Sequence, residues 1–136
     1  MTEITEIRPA SIHDEFGNLY VHAKKVSNPK SVLYISGQVG VDSAGNIGKS
    51  CKEQLDLAWN NVDSILAEAG MSKRNIIDVF VFFNGAEQHN VEENKGVYAE
   101  SVLDYFGDDV PAMSGLVGAG LRLDEFAFEF KLRAAI

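Results

Sequence analysis

The stretch FEFKLRAA near the end of the chain sets Glu129, Lys131 and Arg133 at alternate positions, so an extended backbone places all three charges on one face. A carboxylate there can orient a water or take its proton, and an ammonium or guanidinium can hold an anion. Phe128, Phe130 and Leu132 fall on the opposite face, which is predicted to be buried. Upstream, Gly115, Gly118 and Gly120 recur inside one extended segment, and Ser36-Gly37 interrupts another, VLYISGQV. Glycine weakens a strand and marks a bulge or the close approach of a second group. Two readings are open: backbone amides and charges converging on a concave site, or a bulged edge strand whose charges are solvated.

Other residues able to do chemistry carry weaker signals. His13, His22 and His89 lie on different segments without a recurrent ligand spacing, which speaks against a metal site. The acid pairs Glu92-Glu93, Asp108-Asp109 and Asp124-Glu125 are sequence neighbours, which diverge on a helix or strand, and they are read as solvated faces and turns. Cys51 falls near a helix start, where the dipole can lower a thiol pKa, yet no base adjoins it in sequence and a structural role is expected. No glycine loop shaped for phosphate and no nucleophile elbow occurs.

The elements that must position these residues follow from periodicity. Residues 20 to 26 and 32 to 39 read as two strands joined through Ser27-Asn28-Pro29-Lys30, a predicted hairpin. Asp42, Gly45 and Asn46 take the chain out of the sheet, and a helix is expected from about Ser50 until Gly70, with Leu55, Ala58, Trp59, Val62, Ile65 and Leu66 along one stripe. Residues 76 to 83, IIDVFVFF, are apolar on both alternating sets except at Asp78 and predict a central strand. A second helix spans Val91 to Phe106, with Gly107 closing it, before strands starting at Pro111 and Phe126. A short N-terminal strand over Thr2 to Arg8 completes an α+β class with both helices on one sheet face. The strands carry apolar residues on both faces, so the uncovered face is expected to pack against another subunit.

The whole chain, 136 residues and 14.9 kDa, fits one domain, and 46% hydrophobic content suits a packed protein. Twelve Lys and Arg against 20 Asp and Glu leave a net charge of -8, which repels phosphate backbones and disfavours nucleic acid as a partner. No apolar run approaches the roughly 20 residues of a membrane span, and the start MTEITEIRPAS has no signal-peptide pattern. A cytoplasmic protein is predicted. One cysteine excludes an internal disulfide or a thiolate zinc cluster.

The succession VLYISGQVGVD, a turn with Gly45 and Ile47, EQLDLAWNNVDSILAEAG, IIDVFVFF, VYAE and PAMSGLVGAGL resembles the RidA (YjgF, or endoribonuclease L-PSP) family. The likeness runs over nearly all of residues 19–136 in the right order, with a two-residue surplus before the second helix. It implies a fold like that of chorismate mutase: a homotrimer around a barrel, helices outside and three clefts between subunits. Active members hydrolyse reactive 2-enamino and 2-imino acids to 2-oxo acids and ammonia without metal or cofactor. The family arginine that grips the substrate carboxylate falls in Pro111-Ala112-Met113-Ser114, where Met113 replaces it. The family's water-positioning glutamate aligns with Lys131, while Glu129 matches the first acid of that strand.

Tyr20, Ser36, Gly37 and Gly115 match positions that the family places at the cleft. The resemblance therefore implies a small-molecule site between subunits, with Glu129 and Lys131 as catalytic groups and Tyr20, Ser36, Gly37, Met113, Gly115 and Arg133 binding substrate. In that reading Lys131 holds an anion and Glu129 orients water. The rivals are a non-catalytic metabolite-binding or regulatory trimer and a biosynthetic enzyme acting on a different substrate. Ribonuclease action is disfavoured by the acidic balance and by the lack of a His or Lys pair for acid and base work.

Overall fold

The computed structural model describes residues 1–14 and 16–136. In chain order it contains β1 (Glu3–Ile7), β2 (Ala23–Ser27), β3 (Val32–Gln38), α1 (Cys51–Glu68), β4 (Ile76–Asn84), α2 (Val91–Phe106), β5 (Ala112–Ala119) and β6 (Phe128–Ala135), with a 3₁₀ turn at Lys73–Asn75. Four strands form a mixed sheet in the order β3-β6-β4-β5, antiparallel except for the β4/β5 pair. β4 lies inside the sheet, as its two apolar sets predict. Both helices pack on one face, which makes this the α+β layer expected.

Local chemistry explains the helix limits. Ser50 caps α1 by accepting from the Glu53 N–H at 3.1 Å, and the Glu53 carboxylate reaches back to the Lys49 N–H at 2.7 Å. Gly70 then takes φ 71°, a left-handed value natural to glycine just past a helix. Asn90 caps α2 in the same manner, and Gly107 ends it. Leu55, Ala58, Trp59, Val62 and Leu66 of α1 and Tyr98, Val102 and Phe106 of α2 are buried against Val79, Val81, Phe128, Phe130 and Leu132 of the sheet. Each large side chain so covered contributes about 1.5–3 kcal/mol before entropy.

The predicted hairpin does not form. β2 pairs with β1, from Glu3 opposite Ser27 to Ile7 opposite Ala23, whereas β3 pairs with β6. β2 reads AKKVS, too polar for the interior beside β6, while Ile35 of β3 extends the buried row next to Leu132. The intervening turn, with Asn28 at φ 53°, leads into hydrogen bonds from the Lys30 and Ser31 N–H groups to the Ile136 carbonyl, which commit β3 to β6. The small β1/β2 sheet is held to the rest by Lys24, whose almost wholly buried side chain reaches Asp109 at 3.0 Å, and by a bridge from Val21 to Ala112.

Two buried amides had no counterpart in the periodicity. Gln54 donates to the Gly48 and Glu125 carbonyls, both at 3.0 Å, and accepts from the Ala127 N–H at 2.8 Å. Asn84 donates to the Phe126 carbonyl at 2.8 Å and accepts from the Ala86 N–H at 2.8 Å. Both pin the entry to β6, so the strand bearing Glu129, Lys131 and Arg133 is held at its start by fully bonded polar groups.

Candidate functional site

Strand alternation sorts the candidate residues onto two surfaces. On β6, Phe128, Phe130 and Leu132 face the helices and are buried, whereas Glu129, Lys131 and Arg133 face the bare side of the sheet. Cross-strand pairing sets Glu129 beside Phe82, Lys131 beside Phe80 and Arg133 beside Asp78. The β3 register slips between Ile35 and Gln38, and the bulge sets Ser36 and Gly37 together opposite Lys131, between Leu132 and Phe130. A Cβ at residue 37 would overlap the Glu129 carboxylate, so the glycine in SGQVG leaves room for that acid. Tyr34, Ser36, Phe80, Phe82, Lys131 and Arg133 border a concavity of about 660 Å³ on this face.

The charges there are not equivalent. Arg133 Nε lies 3.1 Å from both oxygens of Asp78, and its Nη2 donates to the same carboxylate. That hydrogen bonding and charge raise the already high Arg133 pKa. Its fork is engaged within the subunit. Among the described residues Lys131 has no carboxylate partner, so it is the cation of this face able to take an anion from outside.

The other residues meet at the sheet's β5 edge, on the helix side. Val21 bridges Ala112 there, which sets Tyr20 beside the start of β5. Pro111 presents its carbonyl outward to the Val21 N–H at 3.2 Å; by the alternation of a parallel strand, the N–H and C=O of Met113 and Gly115 also point to this outer edge. Met113 is fixed by the Tyr98 hydroxyl, which donates to its Sδ at 3.2 Å, and burial pushes the Tyr98 phenol pKa upward. Tyr20, Phe83, Tyr98, Met113 and Gly115 line a groove of about 460 Å³. Further along, Gly118 takes φ 77° where the β4/β5 register slips, and a Cβ at residue 85 would come 2.7 Å from its Cα. The glycine run of β5 thus marks a bulge and a close backbone approach.

One subunit therefore does not unite the eight candidates. Tyr20, Met113 and Gly115 share the edge groove; Ser36, Gly37, Glu129, Lys131 and Arg133 share the bare face. Among the described residues no group of three His, Cys, Asp or Glu side chains is placed to hold a metal ion, and no helix is long and apolar enough to cross a membrane.

Cys51 lies away from both surfaces, at the start of α1 in a third cavity with His89, Glu93 and Asn94. Burial, and secondarily the Glu93 charge, push its thiol up to about 11, overriding the helix dipole. At about pH 8 roughly a thousandth of such a thiol is thiolate. Iodoacetamide is expected to label Cys51 on the order of a hundredfold more slowly than an unhindered cysteine, the rate climbing about tenfold per pH unit toward the pKa. Labelling at the free-thiol rate near neutral pH would contradict this placement.

Two helices on one face of a mixed sheet match the architecture of YjgF and Rid structures. The endoribonuclease L-PSP family profile matches residues 14–136. A RutC family protein of Aquifex aeolicus is 35% identical over 77 residues, covering 56% of this chain and 57% of that protein. The RutC family protein YjgH of Escherichia coli is 34% identical over 89 residues, covering 64% and 65%. The matched stretches thus span less than two thirds of either relative. In fold, the chain is similar to a Rid-family protein of unknown function, YyfB of Yersinia pestis, with TM-score 0.81, 21% identity and 98% of each chain covered. The chain belongs to the RidA/YjgF (endoribonuclease L-PSP) family.

Proposed function

We propose that this protein acts as a homotrimer whose intersubunit clefts join the edge groove of one copy to the bare face of the next and hydrolyse a reactive 2-imino or 2-enamino acid. The observation that carries the reading is the division just described: residues that match one family cleft lie on separate surfaces of a single subunit. Only a second copy can bring them together. Exposed Tyr34, Phe80 and Leu116 on the bare face support such a contact, since apolar sheet faces are rarely left in water.

In this cleft Lys131 holds the substrate carboxylate and Glu129 orients water. Water adds to the imine carbon while one of its protons passes through Glu129 to the imine nitrogen, giving a carbinolamine; Glu129 then takes the hydroxyl proton and delivers it to nitrogen as the carbonyl forms and the C–N bond breaks. The 2-oxo acid and ammonia leave, and no external oxidant or reductant is consumed. A point charge at Lys131 replaces the bidentate fork of an arginine, and Met113 donates nothing. A hydrogen bond to a charged group contributes roughly 1.5–3 kcal/mol, and about 1.4 kcal/mol is tenfold in rate.

Ammonia release from 2-iminobutanoate made in situ by an amino-acid oxidase is therefore expected to exceed the buffer rate yet fall about tenfold to a hundredfold below an arginine-bearing relative. Lys131→Met should remove at least about tenfold of what remains while the assembly persists. Equal rates in Lys131→Met and wild type, or no acceleration over buffer, would count against the mechanism. The loss of arginine at Met113 and of the second acid at Lys131 favours one rival, a metabolite-binding trimer without turnover. It predicts 2-oxobutyrate binding in calorimetry with no ammonia release.

A further inference from the structure

The edge groove is walled almost entirely by carbon and sulfur. Its floor is Met113, held by Tyr98, with the Phe83 ring standing edge-on to Tyr98 at 5.5 Å. Leu19 and Tyr20 form one side and Ala99 of α2 the other. The cation at its rim, Lys95, is paired with Glu92 through contacts of 3.0 and 3.2 Å and leaves no free positive charge there among the described residues. A carboxylate entering this groove would lose water and gain no charged donor, whereas an apolar group would exchange water for close contacts. The volume of about 460 Å³ lies in the range of small-ligand sites and exceeds what a methyl or ethyl group fills.

From this we infer that the groove over Met113 takes a bulky apolar substituent, aromatic or branched aliphatic, so that the ligands of this protein are 2-imino acids, or the corresponding 2-oxo acids, with large apolar side chains. The inference rests on the cleft reading for the charged end of the ligand, at Lys131, but not for the groove itself. The outward N–H and C=O of Gly115 offer the ligand's polar atoms backbone partners beside the groove. A Cβ at residue 115 would lie 3.3 Å from a Val81 methyl, so glycine there keeps β5 uncrowded against β4.

Two probes separate the groove from the cleft. Phenylacetamide carries a ring and no charge; it is expected to bind wild type and Lys131→Met alike and to lose at least about tenfold in affinity in Ala99→Trp, which fills the groove, and in Met113→Arg, which charges its floor. Phenylpyruvate is expected to bind wild type at least about tenfold more tightly than 2-oxobutyrate, with the preference lost in both groove variants. Ligand-observed NMR and calorimetry on protein with unchanged circular dichroism read both. Absence of phenylacetamide binding, unchanged binding in both groove variants, or a preference for 2-oxobutyrate would overturn the inference. Phenylacetamide binding that survives while Lys131→Met leaves phenylpyruvate affinity unaltered would uphold the groove and remove the proposed anion role of Lys131.

Discussion

Phe80→Asp is expected to yield a folded monomer, and the wild type to sediment at about three times 14.9 kDa. Phe80 stands on the bare face 38% exposed, its ring stacked on Phe82 at 4.7 Å, with Leu116 51% and Tyr34 74% exposed nearby. A carboxylate at such a position is solvated in the isolated chain, and losing the partly covered ring costs about 1–2 kcal/mol, less than the roughly 5–15 kcal/mol by which such proteins are stable. Between subunits the same carboxylate loses its water with only Lys131, opposite it across the strand pair, within reach, and it replaces an apolar contact, which costs several kcal/mol per copy and so weakens assembly by roughly a hundredfold or more. Light scattering at micromolar concentration reads the mass, and thermal circular dichroism confirms the fold. A monomeric wild type, or a Phe80→Asp protein that still forms trimers, would remove the shared cleft. Turnover should fall with the trimer, because neither surface alone carries the whole candidate set.

The second large effect is in the core. Phe130 is fully buried, its ring 4.4 Å from Trp59 and 5.3 Å from Phe128. Truncating it to alanine removes ring contacts from both α1 and its own strand and leaves a cavity that the packed helices cannot close. The expected loss is about 3–5 kcal/mol, a large part of the roughly 5–15 kcal/mol by which such proteins are stable. One residue further along the same strand, Lys131→Met should change monomer stability by no more than about 0.5 kcal/mol. Urea titrations of the two variants test the strand's facing directly: comparable losses would mean that β6 does not alternate as described.

That contrast is legible in the sequence alone. Alternation in FEFKLRAA named the buried and open sets correctly because a strand with one covered face writes its period of two into the residue types. The limits of α1 and α2 were legible for a related reason: Ser50, Gly70 and Gly107 act on backbone groups within one turn, so their effect is local. The pairing of β3 was not. A turn of Ser27-Asn28-Pro29-Lys30 suits a hairpin locally, and only Ile136, more than a hundred residues away, outcompetes it through hydrogen bonds to Lys30 and Ser31. Gln54 and Asn84 were missed for the same cause, since their partners are backbone groups near the start of β6 and no periodicity reports them.

Taken alone, the sequence determined which side chains could do chemistry and on which face of its own element each lies, because propensity, capping and alternation depend on near neighbours. It also determined, through the order of its segments, the family. Only the tertiary structure decided that Arg133 is engaged by Asp78 while Lys131 is not, that Gly37 makes room for Glu129, and that Tyr20 closes on Met113 around an apolar groove. It also divided the candidates between a sheet face and a sheet edge. Those outcomes depend on strand register across the sheet, and register is set by packing between segments distant in the chain, where a shift of one residue would send every side chain to the other face.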